Sequence, residues 1–272
     1  IHANIYFAPL NTTCAPDLWE YIGQLDFYNV PAGADAISDA LVWEHVPDPG
    51  AVGHFCLISS IEGAQDEHPD PAGISNASQY MQFIRDHNNI CYRNVVFEDV
   101  LPDSTLSLNF FIPGFPGADT KFDLRVERDH LDIGANVDIR LHQSMFKDTR
   151  AHLDSVVERV DRKYNGARTF RFIGEKQTAI KNLVVKPGVR IPAKLYLDMP
   201  KDAVPGSQYK LAVQQIYEGE VIGEFHVEGN IVDVDVLARI EVNAVVVGIV
   251  GGELDVADGD VLGEGGVEAP EG

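Results

Sequence analysis

The sequence holds no apolar run approaching the roughly 18 residues that a membrane-crossing helix needs. Its best stretch, Ala244–Val250, is short and is interrupted by Gly248. Cysteine is scarce, with only Cys14, Cys56 and Cys91. No C-x-x-C pair occurs, which argues against a structural zinc site, and three cysteines allow one disulfide at most. Such usage fits a bacterial secreted or surface protein as well as a cytosolic one. Basic residues are few as well: 21 Lys and Arg stand against 42 Asp and Glu, for a net charge of −21. Nucleic acid and anionic membranes both demand clustered Lys and Arg, so neither is expected as a partner. The acid excess serves solubility and self-repulsion, or the binding of a divalent cation.

Catalytic signatures are missing too. There is no G-x-S-x-G and no H-E-x-x-H. Gly114 and Gly117 lie among Pro and Phe rather than at the strand-to-helix turn of a phosphate loop. Trp19 and Trp43 are the only tryptophans, too few for a broad carbohydrate platform. Trp43 sits in an apolar stretch and reads as core.

What is present is β-sequence. The chain has 272 residues, 45% of them hydrophobic, which is enough for two domains with real cores. Short runs rich in Val, Ile, Phe, Tyr and Leu are bounded by Pro, Gly, Asp and Asn. They include Ile5–Phe7, Ala40–Trp43, His54–Ile58, Asn94–Phe97, Asp123–Val126, Ala193–Leu197 and Lys210–Val213. The chain opens directly in such a run at Ile1, which suggests processing or truncation of a longer parent. Helical signals are limited to a turn after Pro16, to Asn76–Arg85 with Tyr80, Phe83 and Ile84 on one face, and to Asp148–Val160. The last competes with strand, because Val is a poor helix former. The pattern predicts an all-β chain of sandwiches rather than an α/β enzyme fold. Breakers at Ile112–Gly117 mark one boundary, and a composition change after Val232–Val236 marks a second. Gly251–Gly272, rich in Gly, Asp and Glu, is expected to be a loose acidic tail.

Two stretches resemble bacterial immunoglobulin-like modules. The first runs through Val30-Pro31-Ala32-Gly33, Leu41-Val42-Trp43, Pro49–Leu57, His87-Asn88-Asn89-Ile90-Cys91 and Asn94–Val100. It is similar to the CARDB-type (cell-adhesion-related) domain, with Glu62–Arg85 as a long insertion. The second runs through Val185-Lys186-Pro187-Gly188, Ala193–Leu197, Met199–Tyr209, Leu211–Gln215 and Gly219–Gly223. It is similar to the Ig-like domains appended to bacterial glycosidases and surface proteins. In its Pro-Gly corner, Tyr209 can bury its ring while its hydroxyl reaches backbone. Together the two imply tandem Ig-like antiparallel β-sandwiches over residues 1–112 and 118–236, then a flexible acidic tail over 237–272. They also make Cys56 and Cys91 strand residues of one sandwich, either joined as a disulfide or present as two separate buried thiols.

Candidate chemistry is confined to loops. Asp66, Glu67 and Asp70, beside His68, can offer oxygen ligands to Ca²⁺, although a solvated Pro-punctuated loop is the simpler reading. Asp255–Asp260 has the carboxylates of a Ca²⁺ loop but Gly266 where the bidentate Glu belongs. Asp129–Asp138 reads as outward-facing charge on a strand-turn-strand. The triplets Asn11-Thr12-Thr13 and Asn76-Ala77-Ser78 match the N-glycosylation pattern and read as surface loops. No cofactor is expected apart from Ca²⁺ at the Asp66–Asp70 loop. The resulting expectation is a non-catalytic secreted or cell-surface structural or adhesion protein, with protein partners or self-assembly, and carbohydrate as a further ligand class. An accessory region of a secreted hydrolase and a Ca²⁺-dependent binding module are the alternatives.

Overall fold

Alternation in the first eight residues of the chain sets its first sheet. The computed structural model describes residues 1–13, 15–31, 36–47, 54–64, 67, 70, 73–131, 134–146, 152–153, 157–160, 166–173, 176–233, 245–250 and 253–258. Strand β1 (His2–Pro9) turns Ala3, Ile5 and Phe7 to one side, and all three are buried. It pairs antiparallel with β2 (Glu20–Asp26) and β3 (Phe55–Glu62), and β4 (Ile90–Arg93) completes the order β2-β1-β3-β4. The register shifts by one at Ile22 of β2, a bulge in an edge strand. Helix α1 (Ala77–Asp86) starts at Asn76, whose side chain accepts from the Gln79 N–H at 3.0 Å. Its Tyr80 and Phe83 are buried at helical spacing, and the Tyr80 ring meets Phe115 at 5.5 Å.

The remaining chain forms a sandwich. One sheet holds five strands in the order β10-β11-β8-β13-β6: Val157–Val160, Ala167–Phe172, Asn136–His142, Arg190–Asp198 and Thr105–Pro113. The other holds six in the order β5-β15-β14-β7-β12-β9: Val95–Phe97, Glu220–Asn230, Gln208–Tyr217, Thr120–Arg128, Gln177–Val185 and His152–Leu153. Every second residue faces inward and is buried, such as Val137, Ile139 and Leu141 of β8 or Phe122, Leu124 and Val126 of β7. Phe110 of one sheet and Phe225 of the other meet at 4.9 Å across the core. A hairpin of β16 (Val245–Val250) and β17 (Glu253–Asp258) follows.

The all-β architecture is as expected, but its partition differs from the one read in the sequence. The sequence pattern assigns residues up to 112 to a first sandwich, yet β6 pairs along its whole length with β13. Strand β5 likewise joins β15 in parallel rather than closing the first unit. Among the described residues the first unit is therefore one sheet and a helix. Part of its core is continuous with that of the sandwich, running from Ala8, Ile58 and Tyr80 into Phe110 and Phe225, while Ala3, Ile5 and Leu25 form a small separate cluster.

Other expectations also change. Ala40–Trp43 is not a strand; it lies over β1, with the Trp43 ring 4.8 Å from Phe7 and 5.6 Å from Phe55. In Asp148–Val160 the strands β9 and β10 replace the helical alternative, as suits β-branched Val. Asp138 is buried rather than outward-facing charge, held by Arg171 at 2.8 and 3.1 Å. Within the acidic tail, Glu253–Asp258 is strand β17, so the start of Asp255–Asp260 is paired backbone. Asn11 and Thr13 are buried, unlike a surface sequon, while Asn76 caps α1.

A polar seam ties the first sheet to the sandwich. The segment after β1 runs beside β6: Thr12 N–H donates to the Phe111 carbonyl at 3.0 Å, and Phe111 N–H donates to the Leu10 carbonyl at 3.0 Å. The hydroxyls of Thr12 and Thr13 donate to Gln215 Oε1 at 2.6 and 2.8 Å. Asn94 Nδ2 donates to the carbonyls of Asn11 (2.8 Å) and Glu224 (2.7 Å). Buried backbone at this junction is thus paired by side chains where no ladder reaches it.

Candidate functional site

Of the loop carboxylates proposed as metal ligands, Asp66 lies outside the described residues. Glu67 and Asp70 are exposed, and the Glu67 carbonyl is occupied by a bond from Asn89 Nδ2 at 3.2 Å. Among the described residues no group of three or more His, Cys, Asp or Glu is placed to hold a metal ion.

Cys56 and Cys91 do not form the disulfide that was one of the two alternatives; both are free thiols. The reason is register. Cys91 stands opposite Ser59, three residues along β3 from Cys56, and an odd spacing puts the two side chains on opposite faces of the sheet. Cys56 is fully buried and donates its thiol proton to Asn94 Oδ1 at 2.5 Å. It belongs to the polar seam rather than to a reactive site. Cys14 lies outside the described residues.

The outward face of the six-stranded sheet carries a hydrogen-bonded row across three strands. Arg125 Nε donates to Gln214 Oε1 at 2.6 Å, and Gln214 Nε2 donates to Glu224 Oε2 at 2.6 Å. Glu224 Oε1 lies 3.2 Å from His226 Nε2. The His226 hydrogen bond holds the Glu224 carboxyl below the usual carboxylate range, against the opposing effect of burial, and the Gln214 bond and Arg125 charge add to it. The row orients side chains and stores charge, but it presents no nucleophile.

Tyr209 behaves as its corner motif predicts. Its ring is buried, and its hydroxyl donates to the Glu98 carbonyl at 2.5 Å, pinning the β5 segment to the sandwich. Burial, with the Glu98 and Asp99 charges adding, pushes this phenol far above its ordinary range.

A surface of different character lies at β2, an edge of the first sheet. Among the described residues eleven large hydrophobic side chains are exposed, and five of them fall between residues 21 and 46: Tyr21, Tyr28, Ile37, Val42 and Val46. Two of them, Tyr21 and Val42, line a hollow with Phe7, Ile22, Trp43 and Pro47, with Glu20 and Glu44 among its polar residues. Nothing in the sequence pattern marks this surface, because local alternation does not report whether an apolar side chain finds a covering partner.

No protein-family model matches the chain, and no curated protein matches it in sequence. Solved structures with similar parts include a family 123 glycoside hydrolase from Clostridium perfringens (12% identity, TM-score 0.32), with 59% of this chain aligned to 26% of that one. CaCohA2 from Clostridium acetobutylicum aligns over 51% of this chain and 86% of its own (14% identity, TM-score 0.28). The CupB6 tip adhesin from Pseudomonas aeruginosa aligns over 86% and 85% (10% identity, TM-score 0.25). The chain thus spans about a quarter of the glycoside hydrolase, and no functional reading rests on likenesses this distant.

Proposed function

We propose that this chain is a non-catalytic module of a secreted or cell-surface protein and works by binding another protein. The observation that carries the reading is the hollow beside the edge strand β2, where exposed Tyr21 and Val42 meet Phe7, Ile22 and Trp43. Scattered surface hydrophobics are ordinary, whereas clustered ones mark interaction surfaces. An edge strand adds unpaired backbone groups to the same surface. The resemblance of Val184–Ile231 to Ig-like modules of bacterial surface proteins supports the setting.

The test is a photo-crosslinking amino acid placed at Val42 and, as a control, at Val204, which is similarly exposed on the sandwich. On the source cells the Val42 position is expected to give a discrete protein adduct that the Val204 position does not. Equal labelling from both positions, or none from Val42, would overturn the reading.

A further inference from the structure

The first 84 residues of the chain hold no Lys and no Arg, yet eleven Asp and Glu fall among them. The first cation in sequence, Arg85, is ion-paired with Glu220 of the sandwich. The next, Arg93, is on β4, at the opposite edge of the sheet from β2. Two of the eleven carboxylates, Glu20 and Glu44, line the apolar hollow at β2, and both residues are exposed. Register sets Glu20 opposite Phe7, whose ring Trp43 meets at 4.8 Å. Leu41 holds the covering segment in place. It packs against Ala3, Ile5 and Leu25, and it lies over Gly23, where an added side chain would strike it. Glu44 and the half-buried Trp43 are thereby fixed beside Glu20. Among the described residues neither carboxylate has an ion-pair or hydrogen-bond partner. No Lys or Arg lines the hollow, and His45 is its only imidazole.

We propose that this hollow receives a Lys or Arg side chain from an extended segment of a partner protein. The inference rests on the protein-binding reading above and names the class of partner. An apolar wall alone takes any hydrophobic group, and two carboxylates alone draw any cation. A long cationic side chain satisfies both, because its stem is apolar and its head is charged. The stem lies against Phe7, Ile22 and Trp43, and the head meets the indole and the carboxylates of Glu20 and Glu44. The rest of the partner segment runs along β2. That strand ends its sheet, so its outer edge offers backbone groups to an extended chain. A polypeptide can use that edge and a small polyamine cannot. The net charge of −21 speeds encounter with a cationic segment and repels a second copy of the chain.

The test uses the full chain and fluorescent peptides of alternating Lys-Val and Gln-Val, read by anisotropy at physiological salt. The Lys-Val peptide is expected to bind about tenfold more tightly than Gln-Val, and Glu20→Gln with Glu44→Gln to remove that advantage. Asp119→Asn with Asp202→Asn takes the same charge from exposed positions of the sandwich, and should leave binding unchanged. Should the double Glu variant fail to fold, Glu44→Gln alone serves the same measurement. Equal binding of the two peptides, equal loss in the two charge variants, or displacement of Lys-Val by spermine at matched charge would each overturn the proposal. The Val42 crosslinker separates this inference from the reading beneath it. A cell-surface adduct that persists in the Glu20→Gln, Glu44→Gln chain overturns the cationic partner and leaves protein binding standing. If Val42 gives no adduct, both fall.

Discussion

Gly223 of β15 lies so close beneath Thr12 that a methyl group on it would strike the Thr12 carbonyl and the Thr13 Cα. The obstacle is backbone, so it cannot rotate away. Gly223→Ala is expected to push the segment after β1 off the sandwich and to cost about 1–3 kcal/mol. Urea unfolding measures the loss. A variant as stable as the parent would show that the seam is loose.

Tyr209→Phe keeps the buried ring and removes only the bond to the Glu98 carbonyl. The expected loss is about 1 kcal/mol, the usual net worth of a hydrogen bond. Amide exchange should rise in Val96–Val100, the segment that the hydroxyl holds. A uniform change across the sandwich would instead show that the ring, not the hydroxyl, does the pinning.

Asp138→Asn removes the charge that Arg171 engages at the centre of the five-stranded sheet. The Arg171 side chain keeps 28% exposure, so water takes part of the lost role. A loss of about 1–3 kcal/mol follows, within the range for a hydrogen bond to a charged group and its desolvation. Thermal unfolding checks it. Arg171→Gln should cost less in the Asp138→Asn variant than in the parent, because the pair is already broken.

Glu224 gives the fold an acid limb. Its carboxyl sits below the usual range in the folded chain, so its contribution is complete above the ordinary carboxylate value. It is lost as pH falls through the lowered value, because the unfolded chain then binds the extra proton. Glu224→Gln should flatten the stability profile in that acidic window and leave its slope near neutrality unchanged. A parallel profile would assign the acid limb to other carboxylates.

The thiols make a simple prediction. Under denaturing, non-reducing conditions, peptide mapping should find Cys56 and Cys91 unlinked to one another. In the native state Cys56 should react far more slowly with a thiol reagent than Cys91, which is only partly buried. A recovered Cys56–Cys91 bridge would require a different register between β3 and β4.

Legibility in the sequence followed the range of the interactions. The stretch Val184–Ile231 was readable because its alternation, Pro-Gly turns and Tyr209 all act within a few residues. Helix α1 was readable for the same reason, through Asn76 and the spacing of Tyr80 and Phe83. Strand β5 was misplaced because its partner β15 is far along the chain, with Val95 set beside His226, and a three-residue run carries no mark of so distant an edge. Asp138 read as surface charge because Arg171, which makes its burial tolerable, is 33 residues away. Trp43 read as core because an apolar run looks the same whether it enters a sheet or lies over one. The candidate surfaces were the least legible. Exposure of Val42, which lies in no strand, exists only once its segment is laid over β1.

The junction of β5 with β15 has a mechanical meaning. The two strands run in parallel, bonded from Asn94 and His226 through Glu98 and Glu228 to Val100, Asn230 and Val232. Tension drawn between residue 94 and residue 232 pulls them past each other lengthwise. All these bonds then bear the load together, with the Tyr209 hydroxyl as a cross-brace, instead of parting one after another like a zip. Force applied across residues 94 and 232 would load this short strand in shear.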